Sequence, residues 1–82
     1  MGKVMTIMKI YPQEGCDVQK LLDDVYRVEG CASARIEEFA YGIKIIRAGF
    51  VCEDANPIDF EEIVKKLGGV SEVQVDDVTL IS

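Results

Sequence analysis

The chain has 82 residues, of which 49% are hydrophobic, so residues 1–82 suffice for one domain with one apolar core. Fifteen acidic against nine basic residues give a formal charge of −6, which argues against nucleic acid or an anionic membrane surface as a partner. No apolar run is long enough to span a bilayer and the first residues lack a secretion signal, so we expect a cytoplasmic protein.

The first two elements are a strand and a helix. Residues 3–11 form a predicted strand that Pro12 ends, with Val4, Met8 and Ile10 on the same face as Thr6. Asp17 then stands at an N-cap position, and Gly30 is predicted to end the helix that follows. The apolar residues of this helix recur at three- and four-residue steps and are Val18, Leu21, Leu22, Val25 and Val28.

From residue 32 to residue 52 the apolar period changes to two, which predicts a β-hairpin. Ala34 and Ile36 share a face in its first strand. In its second strand one face carries Ile46, Ala48, Phe50 and Cys52. Gly42 can adopt the positive φ that a tight reversal needs, so the tip is expected near residues 40–43.

A second helix and a last strand complete the chain. Asn56 and Pro57 form a predicted N-cap and first-turn pair, and Asp59 falls in the first turn. The core-facing residues of this helix are Phe60, Ile63, Val64 and Leu67, and Gly68-Gly69 closes it. Val73 and Val75 then alternate with polar residues, but the alternation breaks at Asp76-Asp77, which predicts a bulge or a strand end.

The element order βαββαβ predicts an α+β ferredoxin-like fold, with a four-stranded antiparallel sheet and two helices on one face. The opposite sheet face is expected to carry Met5, Ile7, Ile43 and Ile45. These residues are more apolar than a fully solvated face prefers, so we expect a partner to cover them.

The residues that most enzymes rely on are absent or scattered. There is no histidine, which excludes Ser–His and Cys–His nucleophile pairs, and no glycine-rich phosphate loop. Cys16, Cys31 and Cys52 are too widely spaced for a metal site and are interpreted as reduced packing residues. Adjacent carboxylates, such as Glu61 and Glu62, are interpreted as solvated. We therefore expect no catalytic activity, no cofactor and no metal.

The hairpin tip is the segment that these patterns leave unexplained. Tyr41 precedes Gly42 at the reversal, where its ring either packs back on its own strand or anchors a protein partner. RNA binding through aromatic residues of the open sheet face is set aside, because Phe50 falls on the helix-facing side and the charge is acidic.

Around this tip the sequence resembles a known family. Residues 41–46, Tyr-Gly-Ile-Lys-Ile-Ile, and residues 50–54, Phe-Val-Cys-Glu-Asp, are similar to the central motif of translation elongation factor 1-beta. The likeness covers nearly the whole chain. It includes residues 2–4, 9–12, 17–18, 36–38, 69–71 and 75–78, and the length matches the stand-alone archaeal form.

The resemblance implies a guanine nucleotide exchange factor that promotes GDP release and GTP loading on elongation factor 1-alpha during translation elongation. It implies that Tyr41 wedges against the GTPase, with Gly42, Ile43 and Lys44 beside it in the partner-binding site. The sequence departs from the family at residues 78–82, which lack the basic residue that reaches the magnesium site of the GTPase. GDP release then has to depend more on the Tyr41 wedge, or on deformation of the phosphate loop of the GTPase.

Two hypotheses from other functional classes remain open. The first is a ligand-sensing regulatory domain of the ACT type, which has the same element order and binds small molecules at a dimer interface. This hypothesis predicts a dimer. A scaffolding domain predicts neither a ligand response nor an effect on nucleotide release. Of the three hypotheses, only nucleotide exchange accounts for the hairpin tip.

Overall fold

The computed structural model describes residues 2–38 and 40–81 and has the predicted order of elements. The strands are β1 (Lys3–Pro12), β2 (Cys31–Glu38), β3 (Lys44–Glu53) and β4 (Val70–Leu80), and the helices are α1 (Val18–Tyr26) and α2 (Phe60–Lys65). The strands form one antiparallel sheet in the order β2-β3-β1-β4. The predicted α+β ferredoxin-like fold is therefore confirmed.

Both helices cover the same face of the sheet. Leu21 and Val25 of α1 and Phe60 and Val64 of α2 join one buried cluster with side chains from all four strands. The strand residues in that cluster are Met8, Ile10, Ala34, Ile46, Ala48, Phe50, Val70 and Val73. At its centre the rings of Phe50 and Phe60 stack with centroids 4.9 Å apart, which joins the middle of the sheet to α2.

The predicted end of the first helix is wrong by several residues. The helix ends at Tyr26, and the amide of its C-cap, Arg27, donates to the carbonyls of the preceding turn. Turn hydrogen bonds from Val28 to Val25 and from Cys31 to Val28 then lead the chain into β2. Gly30, at φ 95°, lies in this connection and is not the helix cap.

The predicted start of the second helix is also wrong. The carboxylate of Asp59 accepts the amide of Glu62 at 3.2 Å, which makes Asp59 the N-cap. Asn56 instead belongs to a turn, in which its amide donates to the carbonyl of Glu53 at 3.0 Å. Asp59 caps the helix by itself, because its carboxylate accepts the amide three residues later. The Asn56-Pro57 pair therefore marks the turn ahead of the helix.

The predicted irregularity in the last strand is a β-bulge. Ile7 pairs with Asp77 and Met8 pairs with Val75, so Asp76 is the extra residue. The bulge returns Val78 and Leu80 to the helix-facing side of the sheet, where they are 59% and 65% exposed. Neither α1 nor α2, as the structure describes them, is long and apolar enough to cross a membrane.

Candidate functional site

The hairpin tip is a four-residue turn from Ala40 to Ile43. The amide of Ile43 donates to the carbonyl of Ala40 at 3.4 Å, and the two central residues, Tyr41 and Gly42, have φ of 64° and 76°. Positive φ at both central positions defines a type I′ turn, whose twist matches that of the flanking strands. The predicted tip and the positive φ of Gly42 are confirmed.

Tyr41 occupies a backbone conformation that suits other residues better. Among the described residues it is the sole non-glycine residue with positive φ. The left-handed region costs an ordinary L-residue roughly 1–2 kcal/mol, and type I′ turns prefer asparagine, aspartate or glycine at this position. The local preference of the chain therefore does not account for a tyrosine here.

The side chain of Tyr41 does not recover this energy by packing. It is 99% exposed, so the alternative in which the ring folds back on its own strand is wrong. Ile43, next to the turn, is 55% exposed, and Lys44 is exposed at the first position of β3. The predicted partner-binding residues thus form one projecting tip, which we call the Tyr41 tip (residues 40–44).

The base of the Tyr41 tip is rigidly held. Glu38 pairs with Lys44 and Glu37 with Ile45 across the two strands. Ile45 is 2% exposed and Ile46 is fully buried, so β3 is anchored on both faces of the sheet directly after the turn. Phe39, between β2 and the turn, lies outside the described residues.

The open face of the sheet is less exposed than the sequence suggests. Met5 and Ile7 are half-buried and Ile45 is buried, although all three point away from the helices. Ile43 was predicted on this face and instead lies at the exposed tip, before β3 begins.

Arg47 forms an ion-pair network on this open face that the sequence analysis missed. Its Nε lies 2.5 Å from the carboxylate of Glu37 on β2, and its Nη1 lies 3.1 Å from Asp76 at the bulge of β4. These hydrogen bonds and charges, led by Glu37, raise the pKa of Arg47. Predicted strand pairing could have revealed the first partner, because Glu37 lies one row from Arg47 on the neighbouring strand. The second partner depends on how β4 pairs.

The cysteines do not come together into a site. Cys16, Cys31 and Cys52 are free, half-buried thiols packed against the core. Burial raises the pKa of the Cys31 thiol, and a backbone hydrogen bond at Ser33 opposes this only in part. No group of three potential metal ligands is close together within residues 2–38 and 40–81.

No family model matches the chain, and no curated protein is found to match it.

Proposed function

We propose that the protein is a guanine nucleotide exchange factor for the GTPase elongation factor 1-alpha. The observation that carries the proposal is the Tyr41 ring, 99% exposed on a turn whose backbone disfavours tyrosine. A residue that costs stability and leaves its aromatic side chain exposed is explained by an interaction with another molecule. The resemblance of the sequence around the tip to elongation factor 1-beta supplies the kind of partner.

The geometry suits an aromatic anchor. Tyrosine has few rotatable bonds and presents a large amphipathic surface, which is why it is common among binding hot spots. The short turn and its anchored strands hold the ring away from the body of the protein, so little flexibility is lost on docking. Ile43 extends the apolar contact and Lys44 supplies a charge at its rim.

The proposed mechanism uses binding energy and no chemistry of its own. The Tyr41 tip binds the nucleotide-free form of the GTPase more tightly than the GDP form, and this difference in affinity accelerates GDP release. Exchange in both directions is accelerated, and the nucleotide equilibrium of the GTPase does not change. The protein needs no catalytic residue or cofactor, and it acts in the cytosol, where translation takes place.

The direct test is release of a fluorescent GDP analogue from elongation factor 1-alpha. We expect micromolar protein to accelerate release without GTP hydrolysis by the protein itself. Tyr41→Ala should slow exchange at least about tenfold at subsaturating concentration, because hot-spot truncations lose about 2 kcal/mol or more. Ile58→Ala, at a 45% exposed apolar residue ahead of α2, is the control and should stay active. A release rate that does not respond to the protein contradicts the proposal.

Lys44 provides a second, electrostatic test in the same assay. Lys44→Ala should slow exchange less than Tyr41→Ala and should flatten its salt dependence, as expected of a rim charge that steers association. Lys66→Ala removes another exposed positive charge, at the end of α2, and serves as the control. Equal effects of the two lysine variants would assign the salt dependence to net charge and not to the tip.

A further inference from the structure

The open face of the sheet carries a row of three positively charged side chains. Lys9 on β1 pairs directly with Arg47 on β3, and Arg47 pairs directly with Arg35 on β2. Gln74 on β4 continues the row beyond Lys9. We call Lys9, Arg47 and Arg35 the cation row. In a chain of formal charge −6, a third of the nine basic residues are thus directly opposite one another.

Like charges on directly opposite strand residues destabilise a sheet, so the cation row has a cost that its neighbours offset only in part. Two carboxylates form ion pairs with the cation row. Glu37 contacts Arg47 and lies 3.4 Å from Arg35, and Asp76 contacts Arg47. The Arg35 side chain remains 72% exposed. Within residues 2–38 and 40–81, Lys9 makes no ion pair. One positive charge of the row is therefore left without a counter-charge.

A shallow apolar depression lies beside the cation row. The next row of the sheet places Ser33, Gly49 and Ile7 opposite one another. A depression of about 270 Å³ lies at this row, with Arg35 and Arg47 at its edge. A methyl group at Gly49 would lie 3.1 Å from Ile7 Cδ1 and 3.2 Å from Ser33 Oγ, so the Ile7 and Ser33 side chains lean over Gly49 and form the floor of the depression.

We propose that the cation row and the Gly49 depression form a binding site for a small organic anion. The carboxylate or phosphoryl oxygens of the ligand bind the exposed guanidinium of Arg35 and the ammonium of Lys9, because both cations still have donors free. The compact apolar part of the ligand packs against Ile7 beside Gly49, and the Ser33 hydroxyl donates a hydrogen bond to the anionic group. The site is independent of the Tyr41 tip and of nucleotide exchange.

The test is a titration of ¹⁵N-labelled protein with phenyl phosphate, benzoate and inorganic phosphate, followed by NMR. We expect saturable shifts for phenyl phosphate or benzoate, with a dissociation constant on the order of 1 mM, confined to the amides around residues 7–9, 33–35 and 47–49. Inorganic phosphate should bind more weakly, because it has no apolar part to cover the depression.

Arg35→Gln and Lys66→Gln form the variant pair, since each removes one exposed positive charge. Arg35→Gln should weaken binding about tenfold, as expected for the loss of one charge-assisted hydrogen bond, and Lys66→Gln should leave it unchanged. Equal weakening in both variants, shifts spread over the whole surface, or no saturation for either organic anion would overturn the proposal. Equal affinity for inorganic phosphate would also overturn it, because the depression would then contribute nothing.

Discussion

Tyr41 is the residue at which local preference and observed conformation disagree most. Its neighbour Gly42 is suited to positive φ, and the turn type follows from the twist of the two strands. Tyr41 has the left-handed backbone conformation but lacks the asparagine-like side chain that tolerates this conformation. Such conflicts are commonly found where a residue is kept for binding.

This conflict leads to a stability prediction. Tyr41→Asn creates an Asn-Gly pair, the favoured sequence for a type I′ turn, and should raise the free energy of unfolding by about 1 kcal/mol. The same variant should lose exchange activity as Tyr41→Ala does. Urea denaturation alongside GDP release measures both quantities. A variant that is no more stable than the parent would show that the turn does not strain Tyr41.

Cys31 allows a prediction about pH. Because burial raises the pKa of its thiol, less thiolate is present at a given pH, and alkylation by iodoacetamide should reach its midpoint at higher pH than in urea. The stability contributed by the neutral thiol is complete below the thiol pKa of the unfolded chain. It decreases as pH rises through the raised value in the folded protein. Peptide mapping of alkylated Cys31 gives both midpoints, and identical midpoints would contradict the effect of burial.

At the scale of elements, the connection between α2 and β4 packs closely against the loop after β1. The amide of Gln13 donates to the carbonyl of Gly69 at 2.7 Å. A methyl group on Gly69 would lie 2.5 Å from the Cys16 sulfur, and Gly69 has φ of 90°. Gly68, one residue earlier, has open space around it. Two adjacent glycines, which look alike in the sequence, therefore have different roles.

The matched pair Gly69→Ala and Gly68→Ala tests this difference. Gly69→Ala should destabilise the protein by about 2–4 kcal/mol, because the left-handed backbone and the steric clash both oppose alanine. Gly68→Ala should change stability by no more than about 0.5 kcal/mol. Thermal denaturation of both variants provides the comparison. Adding Cys16→Ala to Gly69→Ala should recover part of the loss, and no recovery would mean that backbone strain alone is responsible.

At the scale of the whole molecule, one aromatic pair joins the centre of the sheet to α2. Phe50 is fully buried at the centre of the sheet and Phe60 is 2% exposed at the start of α2. The helix that Phe60 begins spans six residues and is too short to be stable alone. Its position therefore depends on this stacking contact and on Val64 behind it.

Phe50→Ala should consequently affect the entire fold. The loss of a buried phenylalanine costs about 3–5 kcal/mol, a large share of the roughly 5–15 kcal/mol that stabilises a typical domain. Tyr41→Ala, by contrast, should change the free energy of unfolding by no more than about 0.5 kcal/mol. Chemical denaturation of both proteins makes the comparison. Comparable losses in the two variants would place Tyr41 in the core.

The sequence by itself determined the element order, the hairpin and most of the core faces. Periodicity carries this information, because apolar residues at steps of two or of three and four must face one common core. The prediction that Ile63 of α2 faces the core is wrong, because this residue is 39% exposed. Val73, Val75 and the break at Asp76 predict a bulge or a strand end in the last strand, and the strand pairing shows that it is a bulge. The position of Tyr41 ahead of a turn glycine is likewise evident from the sequence alone.

Only the tertiary structure determined where the helices begin and end and which charged side chains lie together. Asn56 and Asp59 are both N-cap candidates in the sequence. Asp59 is the N-cap because burial of Phe60 determines where α2 begins. The exposure of Tyr41 and the strain in its backbone depend on how β2 and β3 pair and where the turn between them projects. The cation row exists because the strand order places β1, β3 and β2 side by side, which brings together residues far apart in the chain. Pairing within a hairpin can be expected from its turn, but the apolar periodicity of one strand does not specify which non-consecutive strand lies beside it.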